Sequence, residues 1–179
     1  MDTDEEKKVK LSMKSLIVLV SYHHNNTRKV AEVMAKVLGA SIKTPQQINQ
    51  EELGQYDLVG FGSGIYSYQH HVSILDLADK LPQADGKRAF IFSTTGAPVV
   101  FGKSVLGKAL EQHTPLREKL QAKGYTIVDE FICGGFNTNK FLKYFGGINK
   151  GRPNAEDLKH AEEFAQNLKR NLEDHKLGN

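Results

Sequence analysis

The sequence predicts one doubly wound α/β domain, in which helices cover both faces of a five-stranded parallel sheet. Its 179 residues, 39% of them hydrophobic and 25% charged, fit one compact domain. Five short apolar runs alternate along the chain with segments of helical periodicity, the order typical of parallel strands joined by right-handed crossovers. The predicted domain covers residues 15–172, between a polar N-terminal extension, 1–14, and a C-terminal tail, 173–179.

The first half of the chain predicts three strands and two helices. Residues 16–20 form a continuous apolar, β-branched run typical of a strand buried on both faces. From Thr27 the apolar spacing becomes helical, and Gly39 stands where a left-handed C-cap glycine belongs. The next predicted elements are a brief strand, a buried strand and a helix, at 40–43, 57–61 and 74–81.

The second half predicts two more strands and two more helices. Residues 88–92 predict a buried strand, and Thr114 with Pro115 predicts the N-cap and first turn of a helix. A strand is expected at 125–132. The last helix begins near Asn154 and carries acidic residues in its first turn, where they complement the helix dipole.

Two long connections follow the fourth and fifth predicted strands, at 97–113 and 134–153. Structureless loops of this length are uncommon unless they are functional. Both leave the edge of the sheet where a ligand is expected, so Phe101, Phe136 and Tyr144 are candidates for a lid or a partner-docking surface.

The composition favours a cytoplasmic protein and argues against several functions. Cys133 is the single cysteine, which excludes an intramolecular disulfide and a CxxC pair, and it is expected to be a buried small hydrophobe. The sequence shows neither a signal-peptide pattern nor an apolar run long enough to insert into a membrane. The 24 bases and 21 acids are intermixed, which gives little support for nucleic-acid binding but allows acidic partners.

Three polar or glycine-rich loops follow the first, third and fourth predicted strands, at 21–27, 62–69 and 93–98. Ligands of doubly wound sheets bind outside the carboxyl ends of the strands. The first loop runs into the N-terminus of a helix, where free N–H groups and the helix dipole favour a phosphate. A bound anion would offset Arg28 and Lys29 in that turn, although simple helix capping and two solvated bases are equally compatible with the sequence.

Missing motifs argue against other chemistries. The chain has neither a P-loop nor a GxGxxG fingerprint after its first strand, and no GxSxG nucleophile elbow. The histidine pairs at 23–24 and 70–71 lack the HExxH helix and the carboxylates of a metal site, so no metal is expected. A phosphoacceptor receiver domain would need acidic residues after the first and third strands, which are absent here.

With these loops in this order, the chain resembles the flavodoxin family over about residues 15–172. The resemblance implies a three-layer fold with strand order 2-1-3-4-5 and FMN as the cofactor, in preference to FAD. In that family the first loop surrounds the FMN phosphate and the next two hold the isoalloxazine ring. Carried over by position, the implied cofactor-binding residues are Ser21, His23, His24, Asn25, Asn26, Thr27, Ser63, Gly64, Ile65, Tyr66, Tyr68, Ser93, Thr94, Thr95 and Gly96.

The phosphate loop departs from the family pattern, because His24 and Asn25 stand where Thr-Gly is usual. Asparagine tolerates the left-handed conformation that glycine adopts there, and imidazole can donate a hydrogen bond to phosphate. Tyr66 and Tyr68 are candidates to stack on the flavin, although plain packing at a loop surface is an open alternative.

The resemblance implies an FMN-binding electron-transfer protein whose partners are redox proteins, with an acidic partner surface allowed by the positive net charge. An NAD(P)H-dependent FMN or quinone reductase on the same fold is an alternative. The missing loop glycine leaves open a second alternative, a cofactor-free flavodoxin-like binding module. No catalytic residue is assigned, and an electron carrier is favoured over an enzyme.

Overall fold

A computed structural model describes residues 13–97 and 103–177. Within these residues the strands are β1 (Ser15–Val20), β2 (Ser41–Lys43), β3 (Leu58–Tyr66), β4 (Gln69–His70), β5 (Arg88–Thr95) and β6 (Thr126–Gly134). The α-helices are α1 (Asn26–Leu38), α2 (Val72–Lys80), α3 (Lys103–Leu110), α4 (Thr114–Ala122) and α5 (Ala155–Leu177). Short 3-10 helices lie at Pro45–Gln47, Gln50–Gln55, Glu111–His113 and Lys140–Phe145. No helix among the described residues is long and apolar enough to cross a membrane.

Five strands form a parallel sheet in the order β2-β1-β3-β5-β6, which confirms the predicted fold and the 2-1-3-4-5 order. The short β4 was not predicted, and it pairs antiparallel with the end of β3. In the register, Val20 lies opposite Ser63, and Ser63 lies opposite Ser93. The carboxyl ends of β1, β3 and β5 therefore meet at one edge of the sheet.

The sheet separates two apolar cores. The core on one face joins the sheet to α2 and α4, and the core on the other face joins it to α1 and α5. Gly60 and Gly62 of β3 give room to the rings of Phe90 and Phe92, because an added Cβ would lie 2.2 Å and 2.1 Å from ring atoms. Cys133 is buried in the second core, as expected.

Two strands are longer than the sequence predicts. The strand expected to end at residue 61 continues to Tyr66, and the strand expected to end at 92 continues to Thr95. Pairing of Gly64 with Thr94, and of Thr95 with Gly134, extends these strands through glycine, serine and threonine residues that have little strand signal of their own. Two of the three predicted loops are therefore largely strand ends.

The expectation that residues 97–113 lack secondary structure is wrong, because α3 and a 3-10 turn occupy the described part of this connection. Phe101 lies outside the described residues. The connection at 134–153 contains a 3-10 helix and an isolated bridge between Asn137 and Ile148. Most of the predicted N-terminal extension, 1–12, lies outside the described residues, while α5 continues through the first part of the predicted C-terminal tail to Leu177.

Candidate functional site: a cleft at the carboxyl edge of the sheet

An open cleft lies at the carboxyl ends of β1, β3 and β5. The loop after β6 closes one side of the cleft. Its lining residues are Ser21, Tyr22, His23, Asn26, Thr27, Gly64, Ile65, Tyr66, Thr94, Thr95, Gly96, Gly135, Phe136, Asn137 and Asn139. No carboxylate, lysine or arginine is among them.

The start of α1 forms the first wall of the cleft. Asn25, the N-cap residue, has φ 53° and ψ 29°, so asparagine adopts the left-handed conformation that was predicted for it. Its side chain makes no capping hydrogen bond, and the first turn contains no acidic residue. The Arg28 N–H donates to Ser21 Oγ at 3.2 Å, which leaves the Ser21 hydroxyl proton available. The helix dipole thus faces the cleft without a side-chain anion to offset it.

Two threonines share one hydrogen bond beneath this wall. Thr27 Oγ1 and Thr94 Oγ1 are 2.8 Å apart, and both side chains are buried. Each hydroxyl has one proton, and their mutual bond uses one of the two. The other proton is free to be donated to a ligand in the cleft.

Asn26 lines the cleft and carries an unpaired buried acceptor. Its Nδ2 donates to the Phe136 carbonyl oxygen at 2.8 Å, and this contact fixes which way the amide points. Its Oδ1 is buried and has no hydrogen-bond partner among the described residues. Because a buried unpaired acceptor is costly, the arrangement favours a ligand that donates a hydrogen bond there.

A two-residue hairpin between β3 and β4 forms the opposite wall. Ser67 and Tyr68 at its tip both have positive φ, at 49° and 66°, as expected for a type I′ turn. Tyr66 lines the cleft with its ring centroid 5.9 Å from that of His23, and burial raises the pKa of its hydroxyl. Tyr68 is 84% exposed and does not line the cleft.

Ser63 and Ser93 point away from the cleft into a buried polar network. The Ser63 hydroxyl donates to the Gly64 carbonyl at 2.7 Å and accepts from the His71 N–H at 2.9 Å. Since that hydroxyl has no second proton, Nδ1 of His70, 3.0 Å away, is the donor to Ser63 Oγ. Nε2 of His70 is then a buried acceptor with no partner among the described residues.

The buried polar network continues from His70 to His113. The rings of His70 and His113 have centroids 4.9 Å apart. His113 Nε2 lies 2.7 Å from Ser93 Oγ, and its Nδ1 donates to Glu130 Oε2 at 2.8 Å. Arg117 donates to both oxygens of Glu130. Burial acts to raise the pKa of Glu130, but the hydrogen bonds from Arg117 and His113 outweigh it and bring the pKa to about 2.

His24 is engaged with the loop after β6 rather than with the cleft. Its ring lies 4.6 Å from the Phe136 ring, and Nε2 lies 2.8 Å from Thr138 Oγ1. The cleft thus gathers most of the site residues that the sequence predicts, and five are placed elsewhere. These five are His24, Asn25, Ser63, Tyr68 and Ser93.

Comparison with known proteins supports the architecture. No protein-family model matches the chain. A protein of Methanocaldococcus jannaschii, described as uncharacterized, is 45% identical over 159 residues, which cover 89% of this chain and 100% of the relative. The solved structure of a flavodoxin from the domain Archaea aligns with a TM-score of 0.56 at 15% identity, covering 89% of this chain and 99% of the flavodoxin.

The chain belongs to the same family as the Methanocaldococcus jannaschii protein, and its fold is flavodoxin-like. Two further solved structures share the fold of this flavodoxin-like protein at 13% identity. General stress protein 14 of Treponema denticola, in complex with FMN, aligns with a TM-score of 0.53 over 89% of this chain and 97% of its own. An NADPH-quinone reductase from P. pentosaceus aligns with a TM-score of 0.57 over 86% and 98%.

The loop after β6 is the part of the cleft that sequence reasoning did not assign to the cofactor site. Gly135, Phe136, Asn137 and Asn139 line the cleft, together with Tyr22 from the first loop. The loop crosses over the end of β5, where the Gly135 N–H donates to the Thr95 carbonyl at 2.9 Å. Two consecutive glycines at the carboxyl end of a predicted strand were the available signal, although they do not reveal the direction of the loop.

The described residues hold no group of three or more histidine, cysteine or acidic side chains that could bind a metal. Burial raises the pKa of the Cys133 thiol well above its usual range, so this cysteine is not an activated nucleophile.

Proposed function

We propose that the cleft binds FMN and that this flavodoxin-like protein transfers electrons between partner proteins. The observation that carries the proposal is the composition of the two walls. A helix N-terminus without an acidic side chain faces a wall that contains the half-buried ring of Tyr66. An anionic group is favoured at the first wall and a flat aromatic ring at the second. When bound, FMN supplies the redox chemistry that the side chains lack.

The first wall would hold the phosphate. The Ser21 hydroxyl and the spare proton of the Thr27–Thr94 pair are two neutral donors, and hydrogen bonds to a charged acceptor are stronger than those between neutral groups. The start of α1 adds its dipole to the same place. Arg28 and Lys29 add positive charge to that turn, although both are exposed.

The ribityl chain and the ring would occupy the rest of the cleft. A ribityl hydroxyl would donate to the unpaired Oδ1 of Asn26, a residue that lines the cleft. Tyr66 and Phe136 offer aromatic surface to the ring, and Thr95 and Gly96 line the cleft beside them. The FMN complex of the Treponema denticola structural neighbour supports the same choice of cofactor.

Fluorescence-quenching titrations with FMN, riboflavin and FAD test this proposal. Riboflavin lacks the phosphate and is expected to bind at least about tenfold more weakly than FMN, because one charge-assisted hydrogen bond contributes about 1.5–3 kcal/mol. FAD is expected to bind more weakly than FMN as well, since the chain lacks the GxGxxG fingerprint of a dinucleotide site after its first strand. Equal affinities for FMN and riboflavin would remove the phosphate role of residues 21–27, and no binding would favour the cofactor-free module.

Thr27→Val is expected to weaken FMN binding about fivefold, while riboflavin binding changes little. The substitution removes one hydroxyl but leaves that of Thr94, so the loss is that of one ordinary hydrogen bond, about 1 kcal/mol. Thr44→Val, outside the cleft, is the control. If both flavins lose affinity equally, Thr27 serves the packing of the site instead of the phosphate.

A second candidate function is an NAD(P)H-dependent FMN or quinone reductase. The fold shared with an NADPH-quinone reductase and the open mouth of the cleft favour this candidate. Steady-state oxidation of NADPH and NADH by the FMN-loaded protein, with and without a quinone, separates the two. An electron carrier shows negligible turnover, whereas a reductase shows turnover that saturates with the nicotinamide.

We also propose a cytoplasmic location, supported by the single buried cysteine. Fractionation of cells that produce the untagged protein, followed by immunodetection, tests this location.

A further inference from the structure

Charge is segregated around the cleft. We define the cleft face as the described segments at the carboxyl edge of the sheet, residues 21–29, 64–72, 95–97 and 134–154. The cleft face contains none of the 21 acidic residues of the chain. Its bases are Arg28, Lys29, Lys140, Lys143, Lys150 and Arg152.

Three of these bases carry charge that no described carboxylate balances. Arg152 is paired with the buried Asp157, and Arg28 lies 4.0 Å from Glu32 on the next turn of α1. Lys29, Lys143 and Lys150 are exposed, and no acidic side chain among the described residues lies within ion-pair distance of them. The cleft face therefore projects a positive field into solvent.

The exposed apolar side chains lie on the same face. The large hydrophobic residues that are exposed among the described residues are between 58% and 84% accessible. All of them belong to the cleft face: Tyr22, Tyr68, Val72, Tyr144 and Phe145. Aromatic side chains exposed together are typical of a surface that contacts another molecule.

We propose that the cleft face is the docking surface for an acidic protein that carries a one-electron redox centre. This inference rests on the proposed function, because the partner would meet the cofactor at the mouth of the cleft. The exposed aromatic side chains would supply the apolar contacts, and the three lysines would steer and orient an acidic rim around them.

The proposed electron transfer favours a redox protein over the other polyanions, because neither a membrane nor a DNA duplex exchanges electrons with a cofactor in the cleft. The exposed aromatic side chains would form the apolar centre of such an interface, and the lysines at its rim would accelerate the association of the two proteins.

The test uses FMN-loaded full-length protein and a reduced acidic [2Fe–2S] ferredoxin as the probe. Two ferredoxin molecules each lose one electron, and the flavin gains both electrons together with two protons from solvent. Stopped-flow absorbance gives the bimolecular rate constant. We expect it to fall at least about tenfold between about 20 mM and 500 mM salt, because screening removes the steering.

Two double variants of equal net charge locate the docking surface. Lys143→Glu with Lys150→Glu is expected to lower the rate constant about tenfold at low salt. The control is Lys36→Glu with Lys80→Glu, two exposed residues in the last turns of α1 and α2, and it should change the rate constant less than about twofold. Reduction by photoreduced deazariboflavin, a small uncharged reductant, should be the same in all three proteins.

The outcomes separate this inference from the proposed function. Failure to load FMN contradicts both. A loaded protein whose reduction by ferredoxin is insensitive to salt, or is slowed equally by both double variants, contradicts the docking surface alone. Tighter binding of the loaded protein to phosphatidylserine vesicles or to a DNA duplex than to ferredoxin, at about 150 mM salt, also overturns the inference.

Discussion

Replacing Glu130 with glutamine is expected to destabilise the folded protein by about 3 kcal/mol, the lower end of the loss that follows when one partner of a buried ion pair is removed, because Glu130 and Arg117 are 14% and 28% exposed. The Glu130 carboxylate accepts from Arg117 and from Nδ1 of the buried His113. Glutamine has no charge and one acceptor oxygen, so it leaves the guanidinium and the imidazole incompletely paired. Urea unfolding followed by circular dichroism measures the loss.

The matched control for this prediction is Asp79→Asn. Asp79 pairs with Lys119 of α4, the helix that also carries Arg117, but its side chain is 54% exposed. An exposed pair contributes less than about 1 kcal/mol, so this variant should remain close to the parent. Equal losses in the two variants would show that burial does not strengthen the Glu130 contacts.

Below pH 6.5, the ordinary pKa of histidine, the free energy of unfolding is expected to fall by about 1.4 kcal/mol for each pH unit because of His70. Burial, together with the neighbouring His113, holds the pKa of His70 well below that value. At a pH between the lowered pKa of His70 in the folded protein and its ordinary pKa in the unfolded chain, the unfolded chain binds a proton that the folded protein does not. Acid therefore favours unfolding. Above pH 6.5 both states are neutral, and this contribution stays constant.

The slope of stability against pH identifies the group responsible. His70→Asn retains a polar side chain beside Ser63, but that side chain cannot titrate. Even if the variant is less stable, the slope of its free energy of unfolding against pH should be smaller below pH 6.5, by the contribution of about one proton. A parent slope that survives in His70→Asn would assign the effect to another group, such as His71, whose pKa is also lowered by burial.

The sheet could be predicted from the sequence because its central strands carry their own signal. Residues 16–20, 57–61 and 88–92 are apolar enough to be recognised without their neighbours. The ends of β3 and β5 are polar and glycine-rich, and they become strands only because a neighbour is there to pair with them. Local sequence does not contain that information.

Because local sequence does not report contacts between distant residues, one part of the cleft could be predicted and another could not. Asn26 and Thr27 could be located because a loop that follows a strand and begins a helix is a local pattern. The Asn26–Phe136 hydrogen bond joins residues 110 positions apart, and no periodicity reports such a contact. Ser63 and Ser93 were assigned to the site by position along the chain, whereas the buried His70 and His113 determine where their hydroxyls point.

The location of FMN on the protein tests the central claim most directly. A two-dimensional ¹H–¹⁵N NMR titration of the isotope-labelled protein with FMN should perturb the backbone amides of residues 21–29, 64–71, 94–97 and 134–139, saturating at one equivalent. A second cavity, lined by residues that include Pro45, Ser73 and Lys80, should be unaffected. Perturbations centred on that second cavity, or none at saturating FMN, would contradict the assignment of the cleft as the cofactor site.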